Sequence, residues 1–123
     1  MQHLTSCQTV KTTPTSNNFI SVQNPTGVIP KLVHITSDSD SHARNNLGFV
    51  LEAWYVPEWG FMFATASAGS GSNTAVMFTP VNQTPTAILT YYLSESTIES
   101  YKGDSATGNK WDTQTEYTVE IYT

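Results

Sequence analysis

The amino-acid sequence predicts an all-β fold, an antiparallel β-sandwich or jelly-roll-like domain of roughly eight strands. Three observations indicate this class. Several segments alternate apolar and polar residues with period two, and helical spacing of apolar residues is absent. Turn-forming clusters separate these segments. Charged residues make up only 12% of the chain, and most of its polar residues are serine, threonine and asparagine. Threonine favours half-solvated strands.

Alternation predicts strands at residues 31–36, 49–54 and 117–122. Successive side chains of a strand point to opposite faces of the sheet. In the first of these strands, Val33 and Ile35 are expected to share one face. In the second, one face carries Phe49, Leu51 and Ala53, and the other carries Val50, Glu52 and Trp54. In the third, one face carries Tyr117, Val119 and Ile121, and the other carries Thr118, Glu120 and Tyr122. We expect the last strand to be half solvated.

Two further segments, residues 61–64 and 87–93, are apolar on both faces. A strand with this pattern is covered on both sides, by a loop, a neighbouring subunit or a partner. We expect a neighbour to cover the following side chains: Phe61, Met62, Phe63, Tyr91 and Tyr92.

The breaks between strands leave no linker, so residues 1–123 are predicted to form a single domain. Among the breaks are Asn24-Pro25-Thr26-Gly27 and the polar run 37–46. The segment 94–100 fits either a helical turn or a short edge strand, and the strand is favoured.

Charge and composition limit the partners. The net charge of −5 and the five scattered basic residues argue against binding nucleic acid, which needs clustered lysine and arginine. Acidity and the lack of a long apolar run also argue against a membrane. The first residues lack the pattern of a signal peptide, and Cys7 has no second cysteine to pair with, so we expect a cytoplasmic protein.

No constellation of residues predicts catalysis or a bound metal, so the chain is expected to be neither an enzyme nor a cofactor protein. Asp38 and Asp40 have the spacing of a calcium loop, but the glycine and the distal glutamate are missing, which favours a solvated loop. The cysteine and the histidines lack zinc-ligand spacing. A Gly-x-Ser-x-Gly motif is absent, and Glu52 with Glu58 is a weak glycosidase pair.

Aromatic residues concentrate around a turn in the segment 54–61. Rings at a turn stack on sugars, anchor a protein interface or close the end of the core, and the sequence leaves these alternatives open. The candidate stacking residues are Trp54, Trp59 and Trp111.

Three stretches near the start of the chain carry a resemblance to a known family: Thr13-Pro14-Thr15-Ser16, Phe19-Ile20-Ser21-Val22 and Asn24-Pro25-Thr26-Gly27-Val28-Ile29-Pro30-Lys31-Leu32-Val33-His34-Ile35. Together they resemble the opening of small β-domains in tailed-bacteriophage structural proteins. In those domains an extended strand leads through a glycine turn to a Val-x-Pro-Lys segment and the next strand.

The resemblance implies a virion structural protein that is assembled in the host cytoplasm. We expect a capsid decoration protein or a head or tail accessory subunit that contacts copies of itself and another virion structural protein. The alternative is a carbohydrate-binding or receptor-attachment module of a tail fibre or tail tip, with a surface glycan as its ligand.

Overall fold

The structure is a computed structural model that describes residues 4–15, 17–59, 61–67, 74–80, 89–102 and 110–123. Nine strands lie within these ranges: β1 (Cys7–Thr12), β2 (Ile20–Gln23), β3 (Leu32–Ser37), β4 (Val50–Val56), β5 (Phe61–Ser67), β6 (Thr74–Pro80), β7 (Leu89–Leu93), β8 (Thr97–Lys102) and β9 (Tyr117–Tyr122). The larger sheet has the order β1-β9-β3-β4-β5-β6, and the smaller has the order β2-β8-β7. Every pairing between these strands is antiparallel, so the predicted all-β class is confirmed.

One hydrophobic core lies between the two sheets. It consists of Ile20, Val22, Val33, Ile35, Val50, Ala53, Tyr55, Met62, Ala64, Leu89, Ile98, Trp111, Tyr117, Val119 and Ile121. Tyr55 of the larger sheet stacks on Tyr91 of the smaller sheet, with the ring centroids 4.3 Å apart. The Tyr55 hydroxyl also hydrogen-bonds the Ser100 hydroxyl, which accepts a second bond, 2.9 Å long, from the Trp111 indole N–H. These contacts give the polar groups of Tyr55, Ser100 and Trp111 hydrogen-bond partners and join the sheets.

The period-two alternation correctly predicts the buried faces of β3 and β9. Val33 and Ile35 are fully buried, as are the three alternate residues of β9 that begin with Tyr117, while the intervening side chains of β9 are half-buried. The last strand is therefore half solvated, as its sequence predicts.

The predicted faces of β4 are wrong at its start. The register between β4 and β5 shifts between Val50 and Glu52, which is a β-bulge. Because a bulge adds one residue to one strand, it reverses the faces of the residues before it. Val50 therefore joins Ala53 in the core, and Leu51 is buried outside that cluster.

The segment 94–100 is also placed differently from its expected edge position. β8 begins at Thr97 and pairs with β2 on one side and β7 on the other, so it is the central strand of the smaller sheet. The predicted turn at Asn24 is present. The Asn24 side chain donates 2.8 Å bonds to the carbonyl oxygens of Val28 and Ser94, and Gly27 has a φ of +74°. A positive φ is the conformation that glycine adopts without strain.

Candidate functional site: the outer face of the larger sheet

The larger sheet has a second face, opposite the core, that we call the outer face. Strand register arranges its side chains in three rows: Lys11, Thr118, Thr36 and Glu52; Thr9, Glu120, His34 and Trp54; and Cys7, Tyr122 and Leu32. Two half-buried residues of the same face, Val56 and Phe63, extend it toward β5. Exposed sheet faces are ordinarily polar. This one combines aromatic and aliphatic side chains with a small number of charges.

The centre of the outer face is a histidine held between two carboxylates. His34 lies on β3, and its Nε2 is 2.5 Å from Glu52 Oε2 on β4. Its Nδ1 is 2.6 Å from Glu120 Oε1 on β9. These two contacts join three side chains from three adjacent strands into one polar cluster.

Trp54 covers the imidazole of His34. The two rings are nearly parallel, with centroids 3.6 Å apart, and only 9% of His34 is exposed to solvent. Parallel stacked rings are a favourable aromatic contact. The stack and the two carboxylates together hold the His34 ring in one orientation.

The Cys7 edge of the face is polar and weakly charged. Cys7 is exposed and pairs with Tyr122, and the hydrogen bond between their side chains, followed by burial and the nearby Glu120 charge, raises the pKa of Tyr122 above 10.0. The Tyr122 hydroxyl is therefore neutral at physiological pH. Lys11, which is exposed, supplies a positive charge at the opposite end of β1.

The residues predicted to be covered by a neighbour have different environments in the structure. Met62 is buried in the core with 2% exposure, which corrects its assignment to an interface. Tyr91 is half-buried and stacks on Tyr55, and burial raises the pKa of its hydroxyl to about 12. Phe63 lies on the outer face of the larger sheet, whereas Tyr92 is 55% exposed on the smaller sheet. The Phe61 side chain lies outside the described residues.

The three candidate stacking tryptophans also have different environments. Trp111 is fully buried and contacts Tyr117 edge to face at 4.8 Å, so its assignment as a ligand platform is wrong. It packs there because its indole N–H has a buried acceptor in Ser100. Trp54 is half-buried on the outer face. The Trp59 side chain lies outside the described residues.

A second polar cluster joins two loops at one end of the sandwich. Asp112 is buried, and its Oδ2 accepts 2.6 Å bonds from His42 Nδ1 and from the Thr115 hydroxyl. Its Oδ1 accepts a 2.9 Å bond from the Gln114 N–H. Burial by itself would raise the pKa of Asp112, but these hydrogen bonds and the His42 charge outweigh it and lower the pKa below 3.8. The cluster stabilises the loops that follow β3 and precede β9.

Sequence reasoning missed both polar clusters. Period two places His34, Glu52 and Glu120 on the polar faces of their strands, but only strand pairing brings the three together. The spacing of Asp112 and Thr115 is a local signal, since aspartate and threonine side chains commonly bond the backbone within such turns.

Two remaining expectations concern metals and membranes. Asp38 and Asp40 are exposed in a turn. Within the described ranges, no group of three or more histidine, cysteine, aspartate or glutamate residues has the arrangement of a metal site. In the same part of the chain, no helix has the length and apolar character needed to cross a membrane.

Comparison with known proteins gives no family assignment. No family model, no curated protein and no solved structure matches the chain. The resemblance of residues 13–35 to tailed-bacteriophage structural proteins therefore stays a prediction.

Proposed function

We propose that the chain is a non-enzymatic structural subunit that assembles by protein–protein contact through the outer face. The observation that carries the proposal is the composition of that face, where Leu32, Trp54 and Val56 are half-buried beside a small number of charged side chains. Aromatic and aliphatic side chains with few charges are typical of the centre of a protein interface.

The proposed setting is a virion, as a capsid decoration protein or a head or tail accessory subunit assembled in the host cytoplasm. The resemblance of residues 13–35 is the support for this setting. Contacts with copies of itself and with another virion structural protein suit a low surface charge, because crowded copies then repel one another weakly. Many weak contacts repeated in a lattice sum to stable attachment.

Virions of the phage that encodes the chain provide the direct test. We expect quantitative mass spectrometry to find the chain in purified particles at a fixed ratio to the major capsid or tail protein. Presence in the infected-cell lysate together with absence from the particles would refute the virion role.

Tyr92 tests whether a second surface, on the smaller sheet, also contacts the particle: replacing Tyr92 by Asp is then expected to lower particle occupancy while the melting temperature stays nearly unchanged. The Tyr92 ring is 55% exposed on the smaller sheet, so its loss removes little from the core. A charge placed in an interface loses its hydration and weakens binding. Occupancy is measured by densitometry of particles incubated with each purified variant. Tyr92→Phe is the matched control, and full occupancy by Tyr92→Asp would show that this residue lies outside the contact.

A second candidate function is glycan binding for receptor attachment. The observation that favours it is Trp54, a half-buried ring that stacks on His34, which in turn contacts the carboxylate of Glu52, since aromatic rings next to polar groups stack on sugars.

Trp54→Ala is expected to abolish any signal that the protein gives on a glycan array, because the stacking surface is lost. Leu32→Ala, on the same face, is the control and is expected to retain the signal. Binding that survives Trp54→Ala would place the sugar elsewhere.

A further inference from the structure

We infer that two copies of the chain pair through the outer face, related by a two-fold axis that runs parallel to the strands between β9 and β3. The inference rests on the proposed function, because it names one of the surfaces through which the subunit assembles. It is carried by the positions of the charged side chains on the face.

The charges of the outer face are arranged for such a pairing. Lys11 on β1 and Glu52 on β4 lie in the same row and at equal distances on either side of the β9–β3 boundary. Glu120 on β9 and His34 on β3 lie in the next row, immediately on either side of the same boundary. A two-fold axis along the boundary exchanges β9 with β3 and β1 with β4.

The axis therefore brings one pair of opposite charges together, because Lys11 comes over Glu52 of the partner subunit. The row of Glu120 and His34 comes over the same row of the partner subunit, in which each His34 is bonded to two carboxylates of its own subunit. Each contact occurs twice because the operation is reciprocal, as in every isologous interface. The same axis exchanges the positions of Tyr122 and Leu32, so the Tyr122 ring meets Leu32 of the partner subunit across the interface.

Two other two-fold axes lack this complementarity. An axis perpendicular to the strands, along the row of His34, lays Glu120 on Glu120 of the partner subunit, and like charges in contact oppose association. An axis between β3 and β4 pairs Glu52 with the uncharged Thr36 of the partner subunit. Of these three axes, the one between β9 and β3 places Lys11 over a carboxylate.

The size of the face predicts weak pairing. Four strands of six residues cover roughly 19 Å by 20 Å of sheet, or about 400 Å² for each subunit. Aligned sheets cross at about 30°, which displaces Lys11 and Glu52 by a few ångströms, within the reach of a lysine side chain. The two subunits together bury about 800 Å², which is less than the roughly 1,200 Å² of a stable specific interface, so we expect a weak dimer with a dissociation constant of about 10–500 µM.

The first experiment mixes two charge variants. In the homodimers of Lys11→Glu and of Glu52→Lys, both contacts are repulsive. We expect analytical ultracentrifugation to show at least a tenfold rise in the dissociation constant, which is a loss of roughly 1.4 kcal/mol of binding free energy. A one-to-one mixture has two attractive contacts in the heterodimer, so association is expected to return. Lys110→Glu, at an exposed lysine outside the face, changes the net charge by the same amount as Lys11→Glu and is expected to leave the dissociation constant unchanged.

The second experiment uses the unaltered protein, because Glu52 also contacts His34 in its own subunit and its replacement can unfold the chain. A zero-length carbodiimide reagent joins a lysine to a carboxylate only where they touch. With a mixture of unlabelled and ¹⁵N-labelled protein, we expect a Lys11–Glu52 cross-link between the two isotopic forms. Within one subunit these residues are three strand spacings apart, about 14 Å.

Each negative result identifies what has failed. A monomer at about 0.5 mM, or cross-links between copies that join other residues, overturns the pairing. If the chain is found in virions but does not pair, the proposed function stands and this interface is wrong. If it pairs as described but is absent from virions, the interface stands and the virion role is wrong.

Discussion

Replacing Trp111 by Ala is expected to lower the free energy of unfolding by about 4 kcal/mol, the range for truncating a fully buried tryptophan. The change removes the largest fully buried side chain of the core, together with its edge contact to Tyr117. It also leaves the buried Ser100 hydroxyl with one bond fewer. The measurement is urea denaturation followed by circular dichroism.

Two further variants separate packing from hydrogen bonding. Trp111→Phe keeps an aromatic ring but loses the indole N–H, and it is expected to cost about 2 kcal/mol. Trp54→Ala, at a half-buried position, is expected to cost about 1 kcal/mol. If Trp111→Ala lowers the free energy of unfolding by no more than Trp54→Ala does, Trp111 does not lie in the core, and the prediction that it binds a ligand by stacking is restored.

Replacing Asp112 by Asn is expected to lower the free energy of unfolding by about 2–3 kcal/mol at pH 7, because it weakens charge-assisted hydrogen bonds to a buried group. Asn also turns an N–H group toward donors that need an acceptor, among them His42 and the Thr115 hydroxyl. Asp38→Asn, at an exposed aspartate, is the matched control and is expected to change the stability by less than about 0.5 kcal/mol.

The cost of Asp112→Asn is also expected to depend on pH. Folding lowers the pKa of Asp112, so the ionised carboxylate stabilises the folded state at pH values above its unfolded pKa of 3.8. That stabilisation is lost as the pH falls below 3.8 and through the lower pKa of the folded state. Denaturation at several pH values should therefore show the wild type and Asp112→Asn converging in acid. A difference that stays constant down to pH 2 or so would contradict the ionised, hydrogen-bonded carboxylate.

Local pattern predicted much of the secondary structure because side-chain direction alternates along any strand. Burial alternates without interruption in β9, and in β3 the core face of Val33 and Ile35 follows directly from the residues, although His34 on the opposite face is also buried. In β4 the alternation is interrupted, because a bulge in its pairing with β5 reverses the side-chain direction at Val50. The neighbours of β8 were likewise invisible, since β2, its partner on one side, is far away in the chain.

The sequence by itself determined the all-β class, the half-solvated last strand and the presence of apolar residues on two faces of some strands. Only the tertiary structure decided which of these residues a neighbour can reach: Met62 and Trp111 are enclosed, whereas Trp54 lies on the outer face. It also decided that His34 lies between Glu52 and Glu120. The reason is physical: alternation depends on one strand, whereas burial and charge pairing depend on which strands become neighbours.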